Sequence, residues 1–105
     1  MNSWLEIYKE YEKTQEMVAF REWCFKNGFE DSRLLNSFHK SNIKMIFGML
    51  QCYADTKDAH LDLIFSPEDN CWFEWYSKDT TPYNTAEEAM LGCAVQYFEI
   101  TKDQQ

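Results

Sequence analysis

Glycine, proline and closely spaced cysteines are what this 105-residue chain has least of, and each shortage narrows its chemistry. Three isolated glycines (Gly28, Gly48, Gly92) cannot build the glycine-rich loop that cradles phosphates. With two prolines and 45% apolar residues, the composition points to a packed fold and away from disorder or low complexity. The four cysteines, Cys24, Cys52, Cys71 and Cys93, form no C-x-x-C pair, which removes the spacing of a zinc knuckle or ribbon. Each lies in an apolar stretch and reads as a free thiol serving as a small core residue. No apolar run approaches the roughly 20 residues of a spanning helix, so no membrane partner is expected. The first residues, MNSWLEIYKEYEK, lack the basic start and apolar block of a signal peptide, and a cytoplasmic location is expected. G-x-S-x-G, H-E-x-x-H and calcium-loop patterns are missing as well. The expectation is a protein that is not an enzyme and carries no cofactor.

Bases are scarce in one half only. Residues 1–52 carry seven acids and seven bases, whereas residues 53–105 carry eleven acids against Lys57, Lys78 and Lys102. The whole net charge of −8 therefore sits in the C-terminal half. Such a surface repels a phosphate backbone and attracts basic protein partners, so direct nucleic-acid binding is not expected.

What is present is periodic. Ser3-Trp4-Leu5-Glu6 has the form of a capping box, and apolar residues follow at three- and four-residue steps to Cys24. One helix of about 24 residues and two helices broken near Thr14 fit equally; Lys26-Asn27-Gly28 ends the run. Residues 30–40 are ambiguous, with Asp31 or Ser32 able to cap a short helix through Leu34, Leu35 and Phe38. A further helix begins at Ser41 or Asn42 and places Ile43, Ile46, Phe47, Leu50 and Tyr53 on one stripe. Gly48 within it costs ~1 kcal/mol against alanine, which suggests close backbone packing there.

The period then changes to two. HLDLIF, SPEDN and CWFEWY read as an antiparallel β-hairpin around a five-residue loop, Ser66–Asn70. That register pairs Leu63 with Phe73 and Leu61 with Trp75 on an inward face. It pairs Ile64 with Trp72, Asp62 with Glu74 and His60 with Tyr76 on the other. Thr85-Ala86-Glu87-Glu88 is a second capping box, opening a helix that is apolar almost all round, either central in the fold or shared with a partner. Leu91, Val95 and Phe98 form the stripe on which a homodimer would rest. Residues 101–105 are expected to be a loose tail. The chain thus reads as a single α+β domain over 1–105, with N-terminal helices, a small antiparallel sheet and a C-terminal helix.

Two constellations carry what chemistry there is. Opposed carboxylates at Asp62 and Glu74, with His60 beside them, destabilise a sheet unless a divalent cation or a partner's lysine or arginine neutralises them. The other reading is a solvated face with the register shifted by one. Aromatic residues supply the second hint, because tryptophan and tyrosine concentrate at interface hot spots. The expected partner-binding face is Trp72, Glu74, Tyr76, Asp62 and Ile64.

The pair Trp72 and Trp75, a W-x-x-W, followed by Tyr83-Asn84-Thr85-Ala86-Glu87-Glu88-Ala89, resembles small accessory proteins encoded by phages and mobile elements. There a Y-x-T-x-E-E-A helix start follows such a strand pair; the resemblance covers under half of the chain. It implies an accessory protein that acts by binding a host or phage protein, as some acidic inhibitors of host-defence nucleases do. Three function classes emerge: a non-enzymatic protein-binding module, foremost; an acidic DNA mimic; and a small metal-binding protein or enzyme centred on His60 and Asp62.

Overall fold

The computed structural model describes residues 3–76 and 81–102. Its first helix, α1 (Trp4–Tyr11), starts where the Ser3 hydroxyl accepts the Glu6 N–H at 3.3 Å. The open alternative resolves as two helices, because Thr14 both ends α1 and begins α2 (Gln15–Lys26). Its hydroxyl donates to the Tyr11 carbonyl at 2.7 Å and accepts the Met17 N–H at 3.2 Å. Helix α2 closes in a Schellman motif: Phe29 N–H reaches the Cys24 carbonyl and Gly28 N–H the Phe25 carbonyl. Gly28 supplies the φ of +90° this turn requires.

Residues 31–39 are helical (α3, Asp31–His39), burying Leu34 and Phe38, and α4 (Ile43–Asp55) buries Ile46, Phe47, Leu50, Tyr53 and Ala54. Neither helix has a side-chain hydrogen bond at its N-cap, so burial of these apolar stripes holds them. The expectation for Gly48 is not met: a Cβ there would meet nothing within 4 Å.

Helix α5 (Ala86–Lys102), started by the Thr85 hydroxyl accepting the Glu88 N–H at 3.1 Å, packs against α1, α2, α4 and both strands. A stripe of Ala89, Cys93, Ala94 and Tyr97 is buried in the chain's own core, and the Leu91 stripe also faces it. Leu91 and Phe98 are buried there and Val95 packs half-buried against them, which corrects the expectation of an exposed dimer stripe. Thr101 is buried and Lys102 helical, so the loose tail does not include them; residues 103–105 lie outside the described residues. The thiols of Cys24, Cys71 and Cys93 are buried, whereas Cys52 is exposed, contrary to its expected place in the core.

The hairpin joins β1 (Leu63–Ser66) to β2 (Cys71–Glu74), antiparallel, and its register is one residue from the expected one. Ser66 pairs with Cys71, Phe65 with Trp72, Ile64 with Phe73 and Leu63 with Glu74. The turn is Pro67–Asn70, four residues rather than five, with Asn70 at φ +50°. Because side chains alternate, that single step puts Glu74 and Tyr76, not Phe73 and Trp75, on the face of Leu61 and Leu63. A third segment touches β2 at one point, where Trp72 and Tyr83 exchange backbone N–H···O bonds of 2.8 Å.

Candidate functional site

The shifted register turns the expected inward ring outward. Trp75 is 59% exposed, Phe65 42% and Ile64 41%, while Glu74 is only 4% exposed. Tyr76 lies over Tyr97 at 5.4 Å between ring centroids and packs on the core. Trp72, half-buried, lies against Phe65 at 5.1 Å. Of the expected binding face, Asp62 and Ile64 are exposed, Trp72 is partly so, and Glu74 and Tyr76 turn inward.

The hairpin is also asymmetric at its edges. Backbone groups of Trp72 point to Tyr83, so by alternation those of Leu63 and Phe65 point to the outer edge of β1. Among the described residues no strand pairs with that edge. The Leu63 N–H there is capped by the Asp62 carboxylate at 2.8 Å, a device that shortens a sticky edge. Exposed acids border the apolar surface: Asp62 at one end, Glu68 and Asp69 in the turn.

The opposed-carboxylate pair does not form. Glu74 sits across from Leu63, accepts the Tyr76 N–H at 3.2 Å, and faces the buried Cys93 thiol. Burial, reinforced by the Glu74 carboxylate, pushes that thiol well above its ordinary range. His60 stays at the surface between Asp55 (3.8 Å) and Asp62 (3.6 Å). Among the described residues no three His, Cys, Asp or Glu side chains converge closely enough for a metal ion. None of their helices is long and apolar enough to cross a membrane.

A second constellation was not anticipated. Glu16 on α2 accepts, at one oxygen, hydrogen bonds from the Tyr53 hydroxyl of α4 (2.8 Å) and the Tyr97 hydroxyl of α5 (2.6 Å). A nearby pair repeats the theme: Tyr11 donates to Glu99 at 2.6 Å. The available signal was faint. Tyrosines inside apolar stripes need a hydroxyl partner, and Glu16 lies one turn before the buried Phe20.

Burial first, and then the bonded carboxylate, raises the Tyr11, Tyr53 and Tyr97 hydroxyls above 10.0, their ordinary value. The folded state thus holds protons that the unfolded chain releases from about pH 10 upward. Its stabilisation is full below that pH and declines as pH rises towards the folded values. Alkaline titration should therefore show phenolate absorbance appearing together with loss of helical circular dichroism. Free ionisation of these tyrosines in an intact fold would contradict it.

The fold and these features define a small, acidic α+β protein with an apolar hairpin surface and a tyrosine-bound carboxylate inside. No protein-family model, curated protein or solved structure matches the chain.

Proposed function

We propose that this chain is a small, acidic, non-enzymatic protein-binding module that grips a basic partner with its hairpin. One observation carries the reading: the hairpin leaves large apolar side chains exposed on both faces, Ile64 (41%) and Trp75 (59%) on one and Phe65 (42%), beside Trp72, on the other. Clustered exposed apolar groups rimmed by polar ones mark interaction sites, whereas singly scattered ones do not. The rim of Asp62, Glu68 and Asp69 suits lysines and arginines and would speed their encounter. A DNA mimic would instead need a continuous carboxylate face, which the aromatic surface interrupts. The finer form of the proposal, drawn from the W-x-x-W and Y-x-T-x-E-E-A resemblance, is a phage-type inhibitor or regulator of a host protein.

Affinity capture from a bacterial lysate tests this. Phe65→Ser and Trp75→Ser should each reduce recovery of any captured protein by roughly tenfold or more, as loss of a hot-spot aromatic does. Phe25→Ser, which changes the equally exposed ring on α2, should leave it intact. Equal recovery with all three variants removes the hairpin as the binding surface.

A further inference from the structure

A cavity of about 390 Å³ opens beside Glu16, lined by Gln15, Glu16, Lys57, Tyr76, Tyr97 and Thr101 among others. Its volume lies in the range of small-ligand sites, roughly 300–1,000 Å³. It is independent of the exposed hairpin surface and of the reading built on it.

Glu16 and Lys57 bring one charge of each sign to the lining, and several of its oxygens can only accept. The Tyr97 hydroxyl proton is committed to Glu16 Oε1, as is that of Tyr53 outside the lining, so the Tyr97 oxygen can only accept. The Thr101 hydroxyl proton is committed to the Tyr97 carbonyl at 2.7 Å, so this oxygen too can only accept. Glu16 Oε2 receives no hydrogen bond from the described residues. Tyr76 and Tyr97, in ring contact at 5.4 Å between centroids, form its aromatic side. Glu16 is the one carboxylate in the described lining, and its open Oε2 beside two aromatic rings suits a positively charged donor. Lys57 shows that a cation is tolerated at this end of the molecule, since its ammonium lies 5.5 Å from the centroid of the Tyr53 ring.

We propose that this cavity binds an alkylammonium group, its nitrogen donating to Glu16 Oε2 and its carbon stem lying against Tyr76 and Tyr97. A lysine side chain of a partner protein and a free polyamine share this chemistry. Lys57 is then a resident competitor and not a ligand-binding residue, which fixes the sign of its substitution. An anionic ligand would need Lys57 and would be repelled by Glu16.

The test is an NMR titration of the isotope-labelled full chain with n-butylammonium, with n-butanol and acetate as neutral and anionic controls. Saturable shifts of the Gln15, Ala19, Ala59 and Thr101 amides are expected with n-butylammonium alone. Glu16→Gln should weaken binding roughly tenfold, the loss of one charge-assisted hydrogen bond. Glu22→Gln removes the same charge elsewhere on α2 and should change nothing. Lys57→Met, at an exposed site, should tighten binding a few-fold, and it keeps the proposal testable if Glu16→Gln misfolds. Spermidine and a capped Gly-Lys-Gly peptide then separate the sources, the tighter of the two naming the physiological one. Absence of saturation, an equal response to n-butanol, saturation by acetate, or weaker binding in Lys57→Met overturns the proposal.

Discussion

Replacing Gly92 by alanine is expected to destabilise the protein by about 1–3 kcal/mol, although alanine is the better helix former by ~1 kcal/mol. Gly92 lies in the middle of α5, where a Cβ would overlap Oη and Cζ of Tyr83 and come within 2.7 Å of Cε1. The missing side chain is the seat for that ring. Tyr83 also supplies the backbone segment bonded to Trp72, so displacing it loosens the attachment of β2 to the segment that leads into α5. The thermal midpoint should fall by roughly 5–15 °C for a domain of this size. In a Tyr83→Ala background the clash is gone, and Gly92→Ala should become stabilising by ~1 kcal/mol. Chemical denaturation of the four proteins in this cycle measures the coupling directly. A stabilising Gly92→Ala in the otherwise unchanged chain would show that Tyr83 does not rest on α5.

Removing the Glu16 carboxylate is the second large effect. Glu16→Ala should cost about 2–4 kcal/mol, because two charge-assisted hydrogen bonds disappear together. Tyr53 and Tyr97, both in the core, are then left with hydroxyls that only water entering beside them can satisfy. The interaction is shared, so its pieces should not add. Tyr97→Phe is expected to be costly in the native background and nearly neutral once Glu16 is alanine. Glu16→Gln retains an acceptor oxygen and should fall between the two. Equilibrium urea unfolding decides the point: Glu16→Ala within about 0.5 kcal/mol of the parent would mean that the carboxylate holds nothing together.

Helix starts were readable because their chemistry is local. Ser3 and Thr85 each reach an N–H three residues on, and Thr14 breaks the N-terminal run by bonding on both sides of itself. The all-round apolar character of α5 pointed to a central or shared helix, and its neighbours make it central. The hairpin was legible as a hairpin but not in register. SPEDN accommodates a five-residue loop or a four-residue turn after a paired Ser66, and Asn70 can take the positive φ that the shorter turn needs. One residue of uncertainty there exchanged Trp75 for Tyr76 and separated Asp62 from Glu74. The Glu16 constellation was illegible for another reason. Its partners lie 37 and 81 residues away, and no local pattern announces a contact assembled from three helices.

The position of α5 has a consequence for how the chain is made. Four helices and the hairpin precede it, yet α1, α2, α4, β1 and β2 all pack against it. A nascent chain still lacking residues 86–102 presents the apolar stripes of α1, α2 and α4 with their common neighbour missing, a collapsed but unfinished state prone to association. Folding on the ribosome is therefore held back until α5 has emerged. A premature stop anywhere before Ala86 should yield a chaperone client and a protease substrate, not a smaller working protein.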